Sequence, residues 1–285
     1  MDRLIQDLRY AVRRIAKYPG FTAIVVVSLA LGMGANTMIF SMVNGLLLRS
    51  LPYPEADRMM TLWFTPPNRP EQRQFATYPN CQALRMRPTQ SFEHIGCMVS
   101  GTASNFSEPG QDKAAAERLT GQEYTADLAQ ALGVTPVIGR WFTADENQPG
   151  RGPIMMISHR LWQRRFAGSP DVLGRKVRAT FTQSAGSDIA TIIGVLPEGF
   201  DFMNPQTDYV FAFVLPAGGE NSPSRRYRVA GRLKSGVSVA QAQAEMNGIA
   251  RGLSDELPRT NKDWNIQVQP VQEAYLGGFE TPLLT

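Results

Sequence analysis

The sequence predicts an α+β protein: one N-terminal membrane helix, then a two-lobed domain of β-α-β units carrying an inserted mixed lobe. Three observations carry this. Residues 21–48 are 28 consecutive residues without Asp, Glu, Lys or Arg, more than the ~20 a helix needs to cross a bilayer core. Residues 226–271 read as strand, capped helix and strand. Lys176–Thr182 and Asp188–Val195 alternate in part between apolar and polar positions and flank a turn-forming Ser-Ala-Gly-Ser, as a β-hairpin does. The 285 residues, 43% hydrophobic and 19% charged, suffice for a sizeable core.

Ahead of the apolar run, Leu4, Leu8, Val12 and Ile15 recur at helical spacing. Residues 1–20 are then either an amphipathic segment in the cytoplasmic headgroup layer or the polar start of the span. This stretch holds five basic against two acidic residues, whereas the chain beyond the run holds 24 basic and 23 acidic. The net charge of +4 therefore sits beside the apolar run, and nucleic-acid binding loses its support. Short basic flanks stay inside, so the N-terminus is expected in the cytoplasm and everything from Arg49 outside it, in the periplasm if the source is bacterial. The run is too long for a cleaved signal peptide.

Within the span, Asn36 lies near the middle, where hydrocarbon offers its amide no partner and a neighbouring helix does. Ser28, Gly32 and Asn36 recur every four residues, as do Thr37, Ser41 and Gly45, and such small stripes let backbones approach. Gly32, Gly34, Asn36, Ser41 and Asn44 are the expected packing positions; the alternative is a plain anchor that tolerates small residues.

Leu51-Pro52-Tyr53-Pro54 breaks the helix, and Met60–Phe64 reads as a strand. A polar, Pro-rich loop at 65–75, a short helix at Pro79–Met86 and strand or irregular structure through Ser107 follow. Thr125 is placed to cap a helix ending at Gly133, and Ser158 one from His159 to Ala167. The last unit is a strand at Arg226–Leu233, a turn at Lys234-Ser235-Gly236, a helix at Val239–Leu257 and a strand at Asn265–Val271. Its helix opens on a Ser238-x-x-Gln241 capping box, carries the stripe Met246, Ile249, Ala250, Leu253 and Leu257, and stops at Pro258. This β-α-β unit is expected to join the strand near Leu62 in one sheet.

Little catalytic chemistry is legible. No phosphate-cradling Gly-x4-Gly-Lys-Ser/Thr occurs, and His94 and His159 stand apart from any metal-ligand spacing. Ser238 sits in a weakened nucleophile elbow but serves better as a helix cap. No cofactor and no metal is expected. Cys81 and Cys97 are either a disulfide or two buried thiols, in a compartment that permits the bond.

Asp7-Leu8-Arg9-Tyr10, Pro19-Gly20-Phe21-Thr22-Ala23, Leu29-Ala30-Leu31-Gly32-x-Gly34-Ala35-Asn36-Thr37-x-Ile39-Phe40-Ser41-x-Val43-Asn44 and Leu51-Pro52-Tyr53-Pro54 together resemble the MacB/FtsX-like permeases of ABC export systems, in the duplicated orphan permease branch. Leu132-Gly133-Val134-x-Pro136-x-x-Gly139-Arg140-x-Phe142, Ser158-His159-x-Leu161-Trp162-x-Arg164-Arg165-Phe166, Gly194-Val195-x-Pro197-x-Gly199-Phe200-x-Phe202 and Gly231-Arg232-Leu233-Lys234-x-Gly236-Val237-Ser238 extend the likeness. The resemblance implies a bacterial inner-membrane permease, not an enzyme, working with an ABC-type ATPase subunit. It also implies a dimer with another permease or permease half, and a periplasmic partner protein. ATP-driven movement would pass through the membrane helices to the periplasmic lobes.

The organisation expected on these grounds is a cytoplasmic basic amphipathic segment at 1–20, the span at 21–48 and the first part of the β-α-β lobe at 49–117. An inserted second lobe at 118–215, a return to the first lobe at 216–275 and an approach to a second span at 276–285 complete it. The chain is read as an N-terminal portion of such a permease. The competing reading is a single-pass anchored binding or sensor module without transport activity.

Overall fold

The computed structural model describes residues 17–43, 53–108, 110, 116–148, 152–179, 189–200, 202–204, 206–214 and 222–274. Its elements in chain order are α1 (Pro19–Val43), β1 (Met59–Thr65), α2 (Tyr78–Met86), β2 (Phe92–Phe106), β3 (Glu117–Tyr124), α3 (Ala126–Leu132), β4 (Ile138–Gly139), β5 (Ile154–Ile157), α4 (His159–Phe166), β6 (Lys176–Arg178), β7 (Ile189–Val195), β8 (Tyr209–Ala212), β9 (Arg228–Leu233), α5 (Val239–Glu256), α6 (Pro258–Asn261) and β10 (Asn265–Pro270). They fall into two compact units, residues 1–50 and 51–285.

The first unit contains α1, a helix of 25 residues with no acidic residue in its first turn and no basic one in its last. The expected span at 21–48 is not shown as one: among the described residues, no helix is long and apolar enough to cross a membrane. Residues 44–48 of that span and the segment 1–16 lie outside the described residues, as do the 184–187 turn and residues 276–285.

In the second unit one mixed sheet runs in the order β10-β1-β9-β2-β3-β8-β5-β7-β4, with β6 paired to β7. β1 is antiparallel to both β10 and β9, and β2 is antiparallel to β9. Hence β1-α2-β2 and β9-α5-β10 are two interlocked split β-α-β units, the ferredoxin-like arrangement. β1 takes the place between β9 and β10 that the sequence assigned only loosely.

Strand alternation builds two layers on this half. Met60, Leu62 and Phe64 of β1, Cys97 and Val99 of β2, and Val229 and Leu233 of β9 face α2 and α5. There Ala242, Met246, Ala250 and Leu253 supply the helix stripe, each Leu- or Met-sized side chain contributing about 1.5–3 kcal/mol. The in-between positions Met59, Met98 and Ala230 meet Leu128, Ala129 and Leu132 of α3 instead. α5 starts on the expected capping box: Ser238 N–H donates to Gln241 Oε1 at 2.9 Å and Gln241 N–H to Ser238 Oγ at 3.3 Å.

Cys81 of α2 and Cys97 of β2 form a disulfide with Cα atoms 6.2 Å apart. Close by, Asn80 and Asn261 exchange side-chain hydrogen bonds of 2.9 and 2.7 Å. That buried amide pair ties α2 to α6.

β3 to β8, the stretch between β2 and β9, extends the sheet. β2 is one strand of 15 residues with a register shift between Ser100 and Thr102, where Gly101 takes φ +79°. Sequence reading left this stretch partly irregular because its side chains do not alternate cleanly through the bulge. Beyond β2, Ser107 exchanges backbone hydrogen bonds of 3.0 and 2.7 Å with Arg178 of β6. The sheet therefore curls back onto β2 around a core of Phe106, Ile157, Leu161, Ile192 and Tyr209.

One local expectation needs correction. Thr125 precedes α3 but makes no side-chain cap; its Oγ1 accepts Cys97 N–H at 2.9 Å. The open N–H of Ala126 donates instead to Asn147 Oδ1 at 2.7 Å, a cap supplied from 21 residues away. At α4 the expected cap is present, with Leu161 N–H donating to Ser158 Oγ at 3.1 Å.

Candidate functional site

The register of β1 with β10 places Met60 opposite Pro270, so the chain enters and leaves this sheet at the same end. The approach to β1 is a short strap. Tyr53 is buried, its ring edge-on to Phe202 at 5.8 Å. Glu55 adopts a left-handed conformation with φ 48°, and a 3-10 turn at Ala56–Arg58 leads into β1. On the exit side Val271 is fully buried in the same core as Tyr53 and Met59.

Two arginines fasten the strap. Arg58 donates through Nε to Leu233 O at 2.9 Å and through Nη1 to Glu55 at 2.8 Å, and it also pairs with Glu93. Partial burial pulls its pKa down, but the hydrogen bonds and charges of Glu55 and Glu93 outweigh this and raise it. Arg232 of β9 is only 4% exposed. Its guanidinium donates to Ala131 O at 2.6 Å, Leu132 O at 3.0 Å, Pro54 O at 2.9 Å and Glu55 Oε2 at 3.2 Å.

The placement follows from local structure. On β9, Val229 and Leu233 point to α5 while Ala230 and Arg232 point to α3. The last turn of α3 leaves carbonyls without helix partners and carries the negative end of the helix dipole. A fork of five N–H donors satisfies several of these at once. Gly133, at φ +62°, ends α3, and a Cβ there would lie 3.2 Å from Arg232 Nη2. The arrangement joins the strap, the central strand β9 and α3 into one body at the end where the connections emerge.

The expected membrane-helix positions fall elsewhere. Gly32, Gly34 and Asn36 lie on exposed stretches of α1, with nothing within 4 Å of a Cβ at either glycine. Ser41 lies in α1 with its side chain outside the described residues, and Asn44 lies outside them altogether. His159 stacks edge-on to Trp162 at 5.5 Å beside an open cleft of about 690 Å³ lined by Arg160, Arg164, Glu198 and Phe200. Among the described residues no His, Cys, Asp and Glu group is arranged to hold a metal ion.

Sequence reading missed Arg232 as a structural centre. The signal was available: an arginine two positions from Ala230 on the same face of a short strand, preceded by Gly231, points where a core side chain belongs.

Comparison with known proteins agrees with this architecture. The model of the MacB-like periplasmic core domain matches residues 22–249. A domain of a putative permease protein from Porphyromonas gingivalis is similar over 76% of this chain and 92% of its own, at 19% identity and TM-score 0.52. The periplasmic region of MacB from Actinobacillus actinomycetemcomitans is similar over 81% and 94%, at 13% identity and TM-score 0.50. The extracellular domain of the noncanonic ABC-type transporter YknZ from Gram-positive bacteria covers 74% and 99%, at 16% identity and TM-score 0.48. No curated protein matches. The family is that of a permease's periplasmic domain and is not a catalytic one. With its matched region running from α1 into α5, the chain belongs to the MacB-like periplasmic core domain family.

Proposed function

We propose that the chain is part of a bacterial inner-membrane permease of an ABC-type export or mechanotransmission system. In this reading α1 crosses the membrane with its N-terminus in the cytoplasm, and the second unit stands in the periplasm. A partner ATPase subunit supplies the work, and a second permease or permease half packs against α1 through Gly32, Gly34, Asn36, Ser41 and Asn44. The halves of the sheet, 49–117 with 216–275 and 118–215, would act as two lobes that a periplasmic partner protein engages.

The observation that carries the reading is the shared end: with Met60 opposite Pro270, both connections of the sheet leave side by side, as membrane attachment at one end requires. Support for the span comes from the sequence, whose charge-free run continues to Leu48, five residues past the described end of α1. At about 1.5 Å per residue, 28 residues reach about 42 Å, more than the ~30 Å hydrocarbon core.

Alkaline carbonate extraction tests this. The full chain should stay with inner-membrane vesicles, and a Leu31→Arg variant should be partly lost from them, since a central arginine costs about 2.5–3.5 kcal/mol on insertion scales. Release of the unaltered chain as a peripheral protein would overturn the proposal.

A further inference from the structure

Among the described residues β10 is the outer strand of the sheet, hydrogen-bonded on one side to β1 and flanked by no strand on the other. Open strand edges present unpaired N–H and C=O groups that template pairing with another chain. On this edge the outward groups are those of Ile266 and Val268, whose C=O and N–H meet a side chain of α5 rather than β1, and strand alternation places Pro270 with them.

Gln243 of α5 reaches this edge. Its Oε1 accepts Val268 N–H at 2.8 Å, and its Nε2 donates to Ile266 O at 2.7 Å. An N–H at one residue and a C=O two residues earlier are the pair that a parallel strand would engage with a single backbone residue. The primary amide has the same donor and acceptor, so Gln243 occupies one full step of a missing strand. Its Nε2 also donates to Asn247 Oδ1 at 2.8 Å, one helical turn on, which orients the amide. At the end of the edge, residue 270 is proline and has no N–H to offer.

We infer that Gln243 acts as a surrogate strand residue that, with Pro270, closes the β10 edge against strand addition by a second copy of this chain. The helix above the sheet thereby has a second task besides covering the core. This inference is independent of any transport role.

Hydrogen exchange and sedimentation of the full chain in detergent test it, with Gln243→Met as the variant, since methionine keeps the volume and the helix but offers no amide. Peptides covering 265–270 should exchange at least about tenfold faster in the variant, and the variant should form species larger than the parent as concentration rises. Gln243→Glu keeps the acceptor for Val268 and adds an edge charge, and it should remain at the parent's size. Parent-like exchange at 265–270 together with parent-like sedimentation of Gln243→Met would overturn the inference. If that variant loses its cooperative melt, the parent decides alone: a slowly exchanging Val268 amide supports the surrogate strand, and one exchanging as fast as exposed loop amides refutes it.

Discussion

Arg232 of β9 donates from Nη2 to Pro54 O at 2.9 Å, a hydrogen bond between residues 178 positions apart. It binds the start of the domain to a strand formed near its end. The same side chain closes the last turn of α3 through Ala131 O and Leu132 O. Removing it strands several buried acceptors together. Arg232→Met should therefore destabilise the second unit by at least about 1–3 kcal/mol, the usual cost of leaving a buried acceptor unsatisfied. Arg232→Lys should recover only part, because one ammonium cannot reproduce the fork. Denaturant melts of the two variants check this, and losses under about 1 kcal/mol in both would contradict the clamp.

The disulfide gives a second test. Cys81 and Cys97 are separated by 16 positions and both are fully buried. Closing a loop of that length restricts the unfolded chain by about 3 kcal/mol in the chain-entropy account. The Cys81→Ala, Cys97→Ala double variant should lose stability of that order. Denatured but unreduced protein should titrate no free thiol; two titratable thiols would mean the pair is unbonded.

Close packing of α3 on the sheet supplies a third. A Cβ at Gly96 of β2 would stand 2.2 Å from Leu128 N, backbone against backbone, so Gly96→Ala must push α3 off β2. A cost of at least about 1–3 kcal/mol follows, the range for overpacked sites. A melting temperature equal to the parent's would show that α3 sits farther away.

An acid-dependent contribution comes from Glu146. Hydrogen bonding to Arg140 is the main cause that brings its pKa from 4.5 down to about 2, helped by the Thr143 N–H and opposed by burial. A depressed carboxylate stabilises the fold fully above its unfolded value, and this contribution is lost as pH falls from about 4.5 through about 2. Glu146→Gln should be less stable than the parent at pH 6, with the difference shrinking toward pH 2. A gap that stays constant over that range would rule out titration of this pair.

Much of the first half of the sheet was legible in the sequence, because its elements carry local signals. The Ser238–Gln241 box, the Met246 to Leu253 stripe and Pro258 mark α5 without tertiary information. What escaped was non-local. β8 has only four residues, all buried, and an apolar run that short has no period to read. Asn147 caps α3 from another loop, a partner no spacing rule finds. Arg232 and Gln243 look like ordinary polar residues of a strand and a helix, and their tasks exist only once β9 meets α3 and α5 meets β10.

Sidedness of the domain tests the central claim most directly. A single reporter cysteine at Glu108 in the second unit and another at Asp2 can be probed with a membrane-impermeant maleimide on intact spheroplasts, in chains whose native pair is replaced by alanine. The account predicts that Glu108→Cys reacts from outside, while Asp2→Cys reacts only after the membrane is permeabilised. Labelling of Asp2→Cys from outside, or protection of Glu108→Cys until permeabilisation, would contradict it.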